Sequence, residues 1–565
     1  MRFSRRGALA LLTSPAIAFG QGMATRGVRP LPRGKPSGRP FPVAFTNVAP
    51  KAGLTSPMIC GRDDRKDYII ETIGCGAAFF DYDNDGWIDI LLLTGSKLEG
   101  APPGVTNRLY KNNRDGTFSD VTEKAGLLRG GWANGVTVAD YNNDGFEDLF
   151  ITYWGQNVLY RNNGDGTFTD VTREAGLIQP AKHWNTGCAF VDYNLDGHLD
   201  LLVSTYLEFD PKVVPKPGGS SFCNWKGVPV NCGPRGLPRG RCFLYRNDGK
   251  GRFTDVTAQA GLAKARGYCL TAIGADLDGN GLPDLYIACD STPSLFFRNN
   301  GDGTFTEEGI ESGIAVNEDG QEQAGMGIGT GDFQPDGKLD LFKTHFADDT
   351  PILYRNNGKG NFEDVTVRSG LGVETRFISW GAGMADFDND GLPDLFFVTG
   401  SVYTEIEAHA PVYAYKTPRV LFRNLGNGQF EELETDPSIT ERHSSRGCAF
   451  GDFDNDGDID LLIMNMNEPP SLLRNDCTGA NHWVKVLLDG VKSNRSAIGA
   501  KVAVRYGSRT QVQEVLSSSS FLSASDKRLH FGIGGETEVD QGPEGVFAFL
   551  RELHGGRLSE STLIQ

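Results

Sequence analysis

An acidic nine-residue loop occurs seven times in this chain, and no other feature limits the possible folds as severely. The copies, with loop positions 1, 3, 5 and 9 in parentheses, are DYDNDGWID (Asp81, Asp83, Asp85, Asp89), DYNNDGFED (Asp140, Asn142, Asp144, Asp148) and DYNLDGHLD (Asp192, Asn194, Asp196, Asp200). They continue as DLDGNGLPD (Asp276, Asp278, Asn280, Asp284), DFQPDGKLD (Asp332, Gln334, Asp336, Asp340), DFDNDGLPD (Asp386, Asp388, Asp390, Asp394) and DFDNDGDID (Asp452, Asp454, Asp456, Asp460). Successive copies start 59, 52, 84, 56, 54 and 66 residues apart. A second unit, Phe-x-Asp-Val-Thr-x-x-Ala-Gly-Leu at its fullest, begins at Phe45, Phe118, Phe168, Phe253, Phe305, Phe362 and Phe430. Most copies follow a segment such as LYRNNGDGTF (Leu159–Phe168), which reads as a β-hairpin around a Gly-Asp-Gly turn. One apolar strand enters each acidic loop and another leaves it, so each repeat supplies four strands. Four strands at this period are the mark of propeller blades.

The phase of the two units predicts how the ring closes. The chain opens with an outer strand near Phe45–Ala49, before any acidic loop, and its last repeat ends after three strands, near Asn475. The first strand fills that vacancy, which removes an edge of unpaired backbone groups. The expected fold is all-β: a seven-bladed β-propeller over residues 44–476, closed by an N-terminal outer strand, then a small C-terminal β domain. In that domain VKVLL, AKVAVRY and TQVQEVL have strand length and apolar patterning.

The loops point to cation chemistry. Carboxylates at positions 1, 3, 5 and 9, with Gly at 6 to turn the chain, can surround one hard cation with oxygen. An EF-hand would need Glu at position 12 and flanking helices; position 12 of the first loop is Leu92, and strands flank it. Those four positions hold 24 of the 72 acidic residues, and such crowding is unfavourable without a counter-ion. Seven divalent ions would bring the formal net charge of −17 to about −3, so the acidity belongs to the loops and not to a nucleic-acid mimic. Calcium, in up to seven mainly structural sites, is the expected ion.

Residues 1–18 read as an export signal: Arg2, Arg5 and Arg6 precede a short apolar run ending in Ala16-Ile17-Ala18. Arg5-Arg6 resembles a twin-arginine signal. Residues 19–43 read as a flexible Gly/Pro/Arg-rich leader. No later stretch is long and apolar enough to span a membrane, and the protein is expected to be periplasmic or secreted. Ten cysteines suit an oxidising compartment; Cys223 with Cys232, near Cys242, and Cys60 with Cys75 are the candidate bridges, while Cys188 and Cys448 read as buried thiols.

Propeller topology puts the acidic loops on one face and the longest inserts, Thr205–Arg241, Gly400–Thr417 and Gly95–Thr106, on the other. Long loops on a rigid scaffold suit recognition. Glu71, Trp132, Asn134, His183, Trp184, Gln323, His345, Arg376, Trp380, His443 and Arg446 are candidates for this second face. Convergence of His183, His345 and His443 would make an acid–base or transition-metal centre; three unrelated histidines are the plainer reading.

The loops together with the NNGDGTF-type hairpins resemble FG-GAP/VCBS repeats. NHWVKVLLDG (Asn481–Gly490), SNRSAIGAKVAVRYG (Ser493–Gly507) and FLSASDKRLHFGIGG (Phe521–Gly535) resemble the ASPIC/UnbV domain of cartilage-acidic-protein-like secreted proteins. The resemblance implies an extracytoplasmic calcium-binding protein with adhesion roles and no defined reaction. It assigns residues 477–550 to the ASPIC/UnbV-like domain and 551–565 to a tail. The Trp-Pro-Ser-Gly turn usual in that family is missing, and VFAFL (Val546–Leu550) stands as a substitute strand. The expected function is a scaffold binding a protein or glycan, without nucleic acid. The alternatives are a propeller enzyme working at the channel mouth and a structural part of an envelope assembly.

Overall fold

Short apolar strands bounded by Asp-Gly and Gly-Asp-Gly corners can bury both faces only by stacking on sheets like themselves. In the computed structural model, which describes residues 22–434, 436–539 and 563–564, seven four-stranded antiparallel sheets do so around a ring. Blade two consists of Ala133–Ala139, Asp148–Tyr153, Val158–Asn162 and Phe168–Asp170, paired in chain order, and blades one and three to six repeat the pattern. Blade seven takes its fourth strand, Phe45–Asn47, from the other end of the chain, with Phe45 opposite Asn475. The predicted closure is therefore present. The segments read as the export signal, the substitute strand Val546–Leu550 and, apart from residues 563–564, the tail lie outside the described residues.

A ring of asparagines holds neighbouring blades together. The backbone N–H of Asn112, at the end of the third strand of blade one, donates to Asp89 Oδ1 of its own acidic loop, 2.7 Å away. The Asn112 side chain donates to Ile88 O in that loop and to Phe453 O in the loop of blade seven, both at 2.9 Å. Asn162, Asn247, Asn299, Asn356 and Asn424 each reach the previous blade in the same way, and Asn475 reaches Phe387 O. The seven amides satisfy carbonyls that blade packing would otherwise bury unpaired, at a cost of about 1–3 kcal/mol each.

The C-terminal domain lies on the acidic-loop face. Its main pairs are His482–Val486 with Leu529–Gly534 and Lys501–Tyr506 with Arg509–Glu514. Between them the small-residue run 517–525 descends into the channel and meets every blade. Ser517 O accepts from Val138 N in blade two, and Ser517 Oγ donates to Phe190 O in blade three. Ser518 Oγ donates to Ala272 O in blade four, and Ser520 exchanges both backbone bonds with Ile328 in blade five. Phe521, fully buried, packs edge-on to Trp380 in blade six at 5.1 Å. Ala524 bonds Ala77 and Phe79 in blade one, and Ser525 Oγ accepts from Phe450 N in blade seven. The innermost strand of each blade is an edge, and this segment supplies hydrogen-bond partners that water would otherwise provide. Glycine at the entry to the inner strand of blade one makes the space: a Cβ on Gly76 would stand 1.6 Å from Leu522 O.

Residues 22–43, expected to be flexible, lie against the ring. Gly22 threads so close to Phe222 and Gly233 that a Cβ would lie 2.4 Å from Phe222 O. Ala24 N donates to Ser291 Oγ (2.8 Å), Arg26 pairs with buried Asp349 (2.6 Å), and Leu31 N donates to Gly372 O (2.9 Å). In these bonds the segment supplies the donors, from backbone N–H groups and Arg26, and the ring supplies the acceptors.

Candidate metal loops and ligand face

Six of the seven acidic loops are built in the same way, and loop four keeps the position-5 bond, Asn280 N to Asp276 Oδ1. The position-1 carboxylate accepts from the backbone N–H groups of positions 5 and 6; in loop six, Asp386 accepts from Asp390 N and Gly391 N at 3.0 and 2.7 Å. The position-9 aspartate opens the second strand and is buried in all seven copies. In loop six Asp394 accepts from Asn424 N and Phe387 N. Burial drives the position-9 carboxyls upward, to about 8 for Asp89 and Asp284 and about 9 for Asp200.

The donor sets fit a hard cation best in four loops. Asp81/Asp83/Asp85, Asp276/Asp278/Asp284, Asp386/Asp388/Asp394 and Asp452/Asp454/Asp460 each bring three ligand oxygens within 4.8 Å of one another. Asp83 Oδ1 and Asp454 Oδ1 are buried without a partner, as a missing ligand would leave them. Loops two and three have Asn142 and Asn194 in place of a position-3 carboxylate, and those amides donate to Asp144 and Asp196. In loop five Gln334 stands at position 3, and Lys338 and Arg355 both pair with Asp336 at 3.1 Å.

The cap touches these loops directly. Lys501 pairs with Asp276 (2.7 Å), Lys485 with Asp452, and Val512 N donates to Asp332 Oδ2 (3.3 Å). Gly532 lies where a Cβ would stand 2.0 Å from Asp386 Oδ2. Beneath the cap, a cavity of about 160 Å³ is lined by Gln511, Glu514 and His530 together with inner strands of blades five to seven. Glu514 is held up at about 7 by burial.

On the opposite face the channel mouth is roofed. Trp225, in the insert of blade three, packs on Tyr403 and Tyr413 in the insert of blade six, with ring centres 5.5 and 4.7 Å apart. Lys226 and Tyr413 both bond Asp348, and the Cys223–Cys232 disulfide staples the blade-three insert. The second candidate bridge does not form; Cys60 and Cys75 are separate buried thiols, directed at Ile70 O and Ala133 O.

The face candidates mostly prove internal. Trp184 and Trp380 are fully buried, donating to Asn134 Oδ1 and Gly400 O. Trp132 is buried, and Glu71 accepts from Asp67 N and Tyr68 N. Gln323 donates to Asp349, and Arg446 lies 4.2 Å from the Trp380 ring, bonded to backbone carbonyls that include Thr72 O. Arg376 pairs with Glu374.

The three histidines go to different partners: His183 to Glu208 (3.3 Å), His443 to Glu468 (3.1 Å) and Glu441 (3.4 Å), while His345 is buried, which pushes its pKa well down. Every group of three close ligating side chains among the described residues is an aspartate triplet, so the histidines do not assemble a centre. The asparagine ring and the channel segment were not foreseen. The Asn that follows Lys or Arg at the end of each third strand was a readable signal for the ring; a run of serines carries none for the channel.

A family model described as FG-GAP-like repeat matches residues 81–151, 140–203, 276–343, 332–397 and 412–463, and one described as ASPIC and UnbV matches 490–542. Cartilage acidic protein 1 of Homo sapiens is 27% identical over 287 residues, covering 50% of this chain and 41% of that protein. The Xenopus tropicalis protein of the same name is 28% identical over 288 residues, 50% and 42% of the two chains. The chain thus spans less than half the length of these relatives. Among solved structures, an Agrocybe aegerita lectin that recognises non-reducing terminal N-acetylglucosamine is 17% identical, with 69% of this chain and 88% of the lectin covered at a TM-score of 0.37. YCF48 bound to a D1 peptide is 10% identical, with 78% and 98% covered and a TM-score of 0.40. No helix among the described residues is long and apolar enough to cross a membrane.

Proposed function

The chain belongs to the FG-GAP-like repeat family, and on that premise we propose that it is an exported, calcium-loaded scaffold that binds a protein or glycan partner through its insert-bearing face. One observation carries this reading: the cap covers the loop face and fills the channel, so the inserts are the long non-repeating surface left for recognition. They are stiffened by a disulfide and an aromatic clasp, and they expose apolar side chains, Val213 at 77% and Val412 at 54%. A pre-ordered surface loses less entropy on binding. The disulfide and the N-terminal pattern of residues 1–18 support the periplasm or the exterior as its location.

Calcium would be held by the Asp-rich loops and would supply charge neutralisation; the residues around it set the blade corners. The test is a thermal melt and a glycan and protein binding screen on the same purified material, before and after chelation with EGTA. Melting several degrees lower in chelator, restored by calcium and accompanied by loss of whatever partner binds, is expected. An identical melt in chelator would remove the metal from the reading, and full binding by a protein lacking residues 210–234 would remove the insert face.

A further inference from the structure

Blade four carries a cysteine pair where other blades carry polar or mixed pairs. Cys269 opens its inner strand and stands in register with Cys289, the last residue of the next strand. The same register position holds Ser379 and Thr399 in blade six, and Ser445 and Asn465 in blade seven, where Ser445 Oγ donates to Asn465 Oδ1 at 2.8 Å. Blade three holds Asn185 and Thr205 there, and blade two Ala133 and Tyr153.

The backbone geometry at this position suits a covalent link. The neighbouring pair, Tyr268 and Asp290, is hydrogen-bonded through Asp290 N and Tyr268 O at 2.8 Å, which makes Cys269 and Cys289 a non-hydrogen-bonded pair. Such pairs bring Cα atoms to about 4.5 Å, inside the range that a disulfide accepts. The two Sγ atoms are 3.3 Å apart, and Cys242 Sγ, from blade three, lies 4.0 Å from Cys269 Sγ. Gly267 leaves room for both sulfurs of the pair: a Cβ there would stand 3.0 Å from Cys289 Sγ and 3.2 Å from Cys269 Sγ. All three thiols are buried.

The geometry points to a second disulfide, Cys269–Cys289, formed while the chain folds, with Cys242 as an alternative partner for Cys269. In the step, the two thiols surrender two protons and two electrons to a disulfide oxidant. One Sγ–Sγ bond forms, the oxidant's S–S bond breaks, and two oxidant thiols leave. Burial of the finished site means that the oxidant acts before the blade closes. The bond would tie down the end of the strand whose next residues, Asp290 and Ser291, bond Tyr206 and the N-terminal strap at Ala24. The inference uses the exported location only for the source of oxidant in the cell, and its test does not depend on location.

Full-length protein is reduced in denaturant, refolded with glutathione and glutathione disulfide, then alkylated in denaturant and digested. Cleavage at the aspartates between the two cysteines, Asp276, Asp278 and Asp284, separates them for mass spectrometry. The expected result is a Cys269–Cys289 linked peptide and six alkylated cysteines out of ten. The Cys223–Cys232 bridge is the internal control for oxidant. Folded protein with that bridge formed and Cys269 and Cys289 both alkylated would overturn the inference. In the Cys289→Ser variant, the link is expected to move to Cys242–Cys269; alkylation of both there would overturn the role given to Cys242.

Discussion

Replacing Gly76 by alanine tests the filled channel with a single methyl group. Gly76 precedes the inner strand of blade one and has no positive φ, so its backbone tolerates a side chain. The space does not: the added Cβ would lie 1.6 Å from Leu522 O and 2.4 Å from Leu522 C. Carbon and a non-bonded heavy atom need about 3.5 Å, so the segment must retreat by roughly 2 Å. Three bonds do not survive such a shift: Val136 N to Leu522 O (3.1 Å), Ala524 N to Ala77 O (3.0 Å) and Phe79 N to Ala524 O (3.1 Å). At about 1 kcal/mol net for each, the loss is about 3 kcal/mol, or on the order of a hundredfold in the opening equilibrium. Hydrogen exchange read by mass spectrometry should therefore accelerate by about that factor over residues 517–525 and at the Phe79 and Val136 amides that lose their acceptors, while the rest of the blades keeps its protection. Gly34→Ala, where nothing lies within 4 Å, is the matched control. Unchanged exchange in a folded Gly76→Ala protein would refute the placement of the segment and the account of the channel with it.

Other outcomes follow from the same geometry. Asn112→Ala strips two buried carbonyls, Ile88 O and Phe453 O, of their donor at the joint between blades one and seven; it should cost about 2–3 kcal/mol in urea unfolding, and a loss below about 0.5 kcal/mol would deny the asparagine ring a stabilising role. Asp290 is held up at about 6 by burial, against an ordinary 3.8, so the folded protein binds a proton that the unfolded chain releases. Stability should then fall as pH rises from about 4 to 6, by at most roughly 3 kcal/mol, and level off above. Asp290→Asn should flatten that slope, and an equal slope in the variant would show that another group is responsible.

How much of this was legible in the chain depends on periodicity. The blades and their closure were readable because seven acidic corners and seven hairpins keep one phase, and Phe45 arrives one strand early. The position-9 aspartates were readable as loop members, but not their burial against Asn112 and its counterparts, because that contact joins the start of one strand to the end of the next. His345 and Trp380 followed the topology to the right face, yet residues beside a channel are internal once another segment fills it. The filling could not be read from SSSSFLSAS, whose serines bond carbonyls contributed by strands hundreds of residues away. The clasp between two inserts was hidden for the same reason: Trp225 and Tyr413 belong to different repeats, and inserts have no period.

The blade that completes the circle has a temporal meaning. Thr46 hydrogen-bonds Asp476 across 430 residues of chain, so the earliest strand to be made stays unpaired until almost everything else exists. Contacts of such span are slow to find and leave a waiting edge exposed. Any fragment cut short of residue 475 would carry two loose sheet edges able to pair with a neighbour. Integrity of both ends, more than the strength of any one blade, would then decide whether this molecule is soluble or self-associates.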